Sequence, residues 1–249
     1  MKTRDQTTSF YNLRDGLALP GCVVCRLKTE SVDRFLDALL WECVTDPDKR
    51  AEIRQARGFC REHAWRLTRP GSALGVAIIM QDVLRDALET MENPASRTPF
   101  PRSLRQVREA IAPGRRASAT TGLASRLEPQ IRCSACVWAE QMEGIYLQSL
   151  ADNLLGDEGL LAAYKLSDGL CLPHFRQALA HVRDEGVFRA LLGAQRAVWE
   201  QLLGHLDEFI RKNDYRFQGE SWGEERDAWL RAIAALAGAS FEIETSSSR

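Results

Sequence analysis

The sequences CVVC at 22–25 and GFCREH at 58–63 decide how this chain is read, because both are written twice. CSAC at 133–136 and GLCLPH at 169–174 repeat them in the same order. Cys22, Cys25, Cys60 and His63 each have a counterpart 111 residues later, at Cys133, Cys136, Cys171 and His174. In both copies 34 residues separate the CxxC from the CxxH. Four chemically scarce residues sharing one offset mark an internal duplication. Other positions obey the same offset: Asp46 with Asp157, Gly58 with Gly169, Phe35 with Tyr146, and Leu36 and Leu39 with Leu147 and Leu150. These are positions on helix faces and at helix ends, so the duplication carried a fold along with its ligand-type residues.

Around these motifs the hydrophobic spacing is helical. Leu27, Val32, Phe35, Leu36, Leu39 and Leu40 form a stripe after Cys25. Asp46 followed by Pro47 reads as an N-cap and first helical residue, with the short helix stopping near Gly58. A further helix opens at Cys60, and residues 72–92 form a long amphipathic one. The second copy predicts helices over 134–155, 158–167, 171–184 and 186–212. No strand pair is evident, so the expected fold is all-α: two homologous helical units, each stapled by a Cys3His site, packed as a pseudo-twofold pair. The expected division is a first unit at 1–93, a basic Pro/Arg-rich linker at 94–130, a second unit at 131–213 and a tail helix at 214–249. In the tail, Ser221 and Glu224 have capping-box spacing ahead of Trp222, Trp229, Ile233 and Leu236.

A CxxC or CxxH at a helix start places both donors about one turn apart, facing one point. Two such pairs joined through a helical hairpin make a closed four-donor set: Cys22, Cys25, Cys60 and His63 in the first unit, and Cys133, Cys136, Cys171 and His174 in the second. Three thiolates and an imidazole suit tetrahedral Zn2+, and four protein donors leave no position for a catalytic water. Two zinc ions per chain are expected. Helix N-termini, with Arg26, Arg61 and Arg132 beside ligands, would offset the net negative charge of each site. An iron–sulfur cluster also uses thiolates, and a CxxC pair can serve as a redox thiol couple, so both stay open as alternatives. Haem attachment is disfavoured, since Arg26 and Val137 stand where that motif needs histidine.

The remaining candidates read as packing. Cys43, whose counterpart is Leu154, reads as a small buried hydrophobe; His181 and His205 have no cysteine nearby, and Trp41, Trp65, Trp138 and Trp199 read as core residues. No nucleophile elbow, Walker loop, GxGxxG or HExxH is present, so no catalytic or organic-cofactor residue is assigned and the chain leans toward a non-enzyme.

The 249 residues are 45% hydrophobic and 27% charged with a net charge of −1, a globular composition that excludes fibrous and wholly disordered classes. The near-neutral balance does not require a nucleic acid or membrane partner. No apolar run approaches membrane-spanning length, and the first residues lack the apolar core of a secretory signal, so a cytoplasmic location without membrane association is expected. Seven cysteines in such a chain favour metal or redox chemistry over disulfides. Seven arginines against two glutamates make 94–130 the one basic stretch. Arg102, Arg105, Arg108, Arg115 and Arg116 offer a route to nucleic acid, although only Phe100 is there to stack a base. A short helix near 103–111 is expected within it, and fraying over 244–249.

The order CVVC, GFCREH, CSAC, GLCLPH resembles an uncharacterised bacterial family of all-helical proteins, a domain of unknown function, from about Cys22 to Leu236. A tail like DYRFQGESWGEERDAWLRAI, here 214–233, is similar to that family too. The resemblance implies metal-ligand roles for the eight motif residues and implies no activity; the 94–130 segment is longer than the family pattern. The functional expectation is a zinc-binding structural or interaction protein whose partner is another protein or a second copy, met through Trp222 and Trp229. A redox- or metal-responsive protein is the alternative.

Overall fold

The computed structural model describes residues 7–92, 119–217 and 219–239, and every regular element among them is helical. In chain order the α-helices are α1 (Thr8–Leu17), α2 (Val23–Trp41), α3 (Pro47–Gln55), α4 (Arg61–Trp65), α5 (Ala73–Glu92), α6 (Ala119–Leu127), α7 (Ser134–Asn153), α8 (Leu161–Lys165), α9 (Leu172–His181), α10 (Glu185–Lys212) and α11 (Ala228–Ala237). Two 3-10 turns, Tyr215–Phe217 and Glu224–Asp227, lie between α10 and α11. The expected all-α class is what the structure has. Among the described residues no helix is long and apolar enough to cross a membrane.

The chain forms two compact units, but they are not the two sequence copies. One comprises 1–31 with 139–249, and the other 32–138, the boundaries falling inside α2 and α7. Each unit draws residues from both sequence copies.

The first unit has its core where α1 meets α7, α8, α9 and α10. Phe10, Leu13 and Leu17 of α1 recur at helical spacing and are buried, with Leu13 at 0% exposure. Sequence reading passed over this helix. Leu147 and Leu150 of α7, Leu170 and Leu191 complete the core, each worth about 2 kcal/mol by removal from water. At its centre Gln195, 1% exposed, binds the turn before α9. Its Oε1 accepts from Leu170 N at 3.0 Å and from the Tyr164 hydroxyl, and its Nε2 donates to Leu170 O at 3.1 Å.

The second unit is held more by charge. Asp33 of α2 takes a two-pronged contact from Arg66, with Nη2 2.7 Å from each carboxylate oxygen, and a third bond from Arg69 Nη2 at 2.6 Å. Asp82 of α5 receives Arg50 and Arg54 of α3. Planar guanidinium forks suit such bidentate pairing, which fixes α3 and the α4 turn onto longer helices.

Local signals behave as expected at α3. Asp46 Oδ1 accepts from Asp48 N at 2.8 Å and Lys49 N at 3.1 Å, and Pro47 occupies the first helical position. Its counterpart Asp157 caps nothing: α8 begins three residues beyond the expected start, at Leu161, with no side-chain cap. The tail also departs from expectation. Ser221 makes no capping bond; instead Glu225 Oε1 accepts from Gly223 N at 2.8 Å and from Lys212 Nζ at 2.7 Å, tying the turn before α11 to α10. Trp41 and Trp65 are 72% and 71% exposed, so they are surface residues and not core. Trp199 does pack on the core, edge-on to Phe175, and Trp138 stacks on Phe35 at 5.5 Å.

The basic segment divides. Residues 119–130 belong to the second unit, where α6 lies along α5. Arg102, Arg105, Arg108, Arg115 and Arg116, the short helix near 103–111 and the frayed end at 244–249 all lie outside the described residues.

Candidate metal centres

All eight motif residues gather into two four-donor clusters, but not the two that follow from reading each copy by itself. Cys22 and Cys25 meet Cys171 and His174; Cys60 and His63 meet Cys133 and Cys136. The CxxC of each copy is completed by the CxxH of the other. This corrects the within-copy sets expected from sequence. Each compact unit contains one complete cluster.

Hydrogen bonds between distant segments accompany the crossing. In the first unit Gly21 N donates to Asp168 Oδ2 at 2.6 Å, joining the turn before one motif to the turn before the other. Arg26 does not face the sulfurs. Its guanidinium donates to the carbonyls of Gly16, Leu19 and Pro20, locking the chain as it enters α2. In the second unit Gln130 N donates to Gln55 O at 2.8 Å, and Arg57 Nη2 to Arg126 O at 2.5 Å, so the end of α3 receives the approach to Cys133.

Both CxxH turns depend on a glycine. Gly58 and Gly169 have φ of +90° and +66°, two residues before Cys60 and Cys171. Only glycine takes this conformation without a steric penalty. At Gly169 a Cβ would also lie 3.0 Å from Gln195 Oε1. Their shared place in both copies follows from this geometry.

The donor geometry fits one tetrahedral ion per cluster. With Zn–S near 2.3 Å and Zn–N near 2.05 Å, a tetrahedron separates sulfurs by about 3.8 Å and sulfur from nitrogen by about 3.6 Å. In the first cluster His174 Nδ1 lies 3.4, 3.3 and 3.1 Å from Cys22, Cys25 and Cys171, and Cys25 Sγ lies 3.7 Å from Cys171 Sγ. In the second, His63 Nδ1 lies 3.2, 3.8 and 3.3 Å from Cys60, Cys133 and Cys136, and Cys136 Sγ lies 3.5 Å from Cys60 Sγ. Both histidines thus present Nδ1. All seven cysteines are free of disulfides. Cys60 and Cys171 sit directly before α4 and α9, and Cys22 and Cys133 directly before α2 and α7, where the positive helix end favours thiolate.

One residue that sequence reading did not single out completes the first cluster. Glu143 of α7 places Oε1 3.3 Å from His174 Nε2, and its Oε2 accepts from Lys28 Nζ at 3.1 Å. A carboxylate behind a ligating imidazole fixes the tautomer that leaves Nδ1 free to bind. Burial opposes ionisation of Glu143, yet the hydrogen bond to His174 and the charge of Lys28 outweigh it and hold its pKa at about 2.

Without an ion, the donors share protons unequally. Hydrogen bonds with Cys171 and Cys22 hold Cys25 far below the usual thiol value, while bonds to Cys171 and Cys25 raise Cys22. Burial disfavours charge on His174, but bonds to Cys171, Cys25 and Glu143 lift it to about 11. In the second cluster burial opposes the Cys133 thiolate, which His63 and the amides of Cys60 and Cys136 stabilise more strongly, so its pKa is lowered. Burial and its neighbour Cys60 push Cys136 up to about 12. A divalent ion displaces such protons and makes affinity rise with pH.

The other polar candidates take local partners. His181 Nδ1 lies 3.1 Å from Gln148 Oε1, and His205 Nδ1 lies 3.0 Å from Arg231 Nη2. Cys43 is half-buried, outside both clusters.

A model of the family described as a family of unknown function, DUF6062, matches residues 16–243. A relative described as an uncharacterized 23.9 kDa protein in the xynA 3' region of Caldicellulosiruptor sp. (strain Rt8B.4) is 27% identical over 218 residues, covering 87% of this chain and 95% of that protein. No solved structure matches the chain.

Proposed function

We propose that this chain, which belongs to the DUF6062 family of unknown function, is a two-zinc helical interaction protein whose metals are structural and which has no catalytic centre of its own. The observation that carries the reading is the pair of Cys3His clusters at tetrahedral spacing, each with four protein donors. An iron–sulfur cluster would spread its thiolates over separate irons, whereas these sulfurs and nitrogens all lie within 4.8 Å of one another, the span of a single ion. Cysteines committed to ligand sets suit a reducing, cytoplasmic location.

The partner in this reading is another protein or a second copy of the chain. The tail supports it: Trp222 and Trp229 are 44% and 48% exposed, and Ile233 and Leu236 continue the apolar surface of α11. A redox- or metal-responsive role is the second reading, favoured by Cys60 and Cys136, whose side chains are only half-buried.

Elemental analysis of protein purified without added metal tests the proposal. Two zinc per chain is the expected result; iron with acid-labile sulfide, or no metal, would remove it. Substituting Trp222 and Trp229 by alanine is expected to abolish association while leaving zinc content unchanged.

A further inference from the structure

The two clusters share a donor set but not their surroundings. In the first, Cys22, Cys25, Cys171 and His174 are 6%, 8%, 1% and 2% exposed. The end of α11 lies over it: a Cβ at Gly238 would stand 3.5 Å from Cys25 Sγ and 3.8 Å from Cys171 Sγ. A cavity of ≈ 300 Å³ lined by Lys165, Asp168 and Arg231 reaches Cys22 and Cys171, which are nonetheless almost wholly buried. Behind His174 stand Glu143 and Lys28.

The second cluster is covered unevenly: His63 and Cys133 are 6% and 9% exposed, but the other two donors are not so enclosed. Cys60 and Cys136 are half-buried. Among the described residues no carboxylate pairs with His63. The duplication itself records the difference: at the 111-residue offset Val32 stands in place of Glu143, and Ala139 in place of Lys28. A hydrophobic side chain and a methyl group cannot orient an imidazole, so among the described residues the His63 ring has no counterpart of the brace that holds His174.

Resting on the two-zinc reading, but keeping a purely structural role for only one of the metals, we propose that the sites have separate tasks. The Cys22, Cys25, Cys171, His174 site is a permanent staple, and the Cys60, His63, Cys133, Cys136 site is thiol-reactive and surrenders its zinc to hydrogen peroxide. One half-buried thiolate, Cys60 or Cys136, attacks the O–O bond of hydrogen peroxide, becoming a sulfenic acid and releasing hydroxide. The other, 3.5 Å away, attacks that sulfur and expels a second hydroxide. Two electrons pass from two thiolates to the peroxide, a disulfide forms between Cys60 and Cys136, and Zn2+ leaves with two donors gone. The pair that closes lies across the two motifs and not within either CxxC.

The test uses the full chain carrying two zinc ions, treated with hydrogen peroxide beside a chromogenic chelator, followed by alkylation and peptide mapping. One zinc equivalent leaves in a fast phase with a Cys60–Cys136 disulfide, and the second leaves at least about tenfold more slowly. Glu143→Ala accelerates the slow phase by roughly 10- to 100-fold and leaves the fast phase unchanged; Glu143→Gln, which keeps an acceptor for the imidazole, does so by less. Release of both ions in one phase, or first modification at Cys22, Cys25 or Cys171, overturns the inference while leaving the two-zinc reading intact. A chain that carries no zinc as purified overturns that reading, and this inference with it.

Discussion

The crossing of the donor sets makes a prediction that the within-copy arrangement reverses. Structural zinc in small domains contributes apparent binding energies on the order of 10–16 kcal/mol. Spread evenly over four donors, that is about 3 kcal/mol each, or about two orders of magnitude in affinity. The double variant Cys22→Ser with His174→Ala removes two donors from one tetrahedron, weakening it by about four orders of magnitude and sparing the other. The double variant Cys22→Ser with His63→Ala removes one donor from each, weakening both by about a hundredfold. A chelator strong enough to strip sites weakened a hundredfold, yet too weak to empty the wild type, separates the cases. After dialysis against it, metal analysis should find one zinc in the first variant and none in the second. If the second variant keeps one zinc and the first keeps none, the donors pair within each copy and the crossed geometry is refuted.

Further outcomes follow from single side chains. Gln195→Leu leaves the Leu170 N–H and C=O and the Tyr164 hydroxyl without their buried partner, so urea unfolding of the loaded protein should show a loss of about 3 kcal/mol; no loss would count against Gln195 as the brace of the CxxH turn. Asp46→Ala should cost about 1 kcal/mol through the lost cap of α3, whereas Asp157→Ala at the matching position should be nearly neutral, both read by chemical denaturation. The Gly223 amide and Lys212 hold the Glu225 carboxyl at about 2. Because this folded value is depressed, its contribution is present above the ordinary carboxylate value of 4.5 and is lost as pH falls from there toward 2. The melting-temperature difference between wild type and Glu225→Gln should therefore be present at pH 7 and shrink below about pH 4.5; a difference that grows on acidification would contradict the assignment.

Much of the fold was open to inspection in the motifs and their spacing. The duplicated donors, the all-helical class and the Asp46 cap depend on local chemistry, and local chemistry is what a sequence displays. The pairing of donors was not, because either CxxC offers the same sulfurs to either CxxH. What chooses between them is contact over long separations, such as Gly21 with Asp168 and Gln55 with Gln130. The capping box failed by one residue: Glu225, not Glu224, turns inward to meet Lys212. Trp41 and Trp65 sit on helical stripes, but periodicity does not say which face a tertiary neighbour covers. Glu143 did leave a trace. It is a position where the duplication breaks, glutamate against Val32, paired with the break of Lys28 against Ala139. Agreement between the copies located the ligands, and disagreement between them marked the support that only one site has.

Anomalous diffraction from crystals of the full chain, recorded on both sides of the zinc absorption edge, identifies the ion in each cluster together with its donors. Two peaks per chain are expected, one bonded to Cys22, Cys25, Cys171 and His174 and the other to Cys60, His63, Cys133 and Cys136. No zinc signal at these clusters, or an ion bonded to the CxxC and CxxH of the same copy, would contradict it.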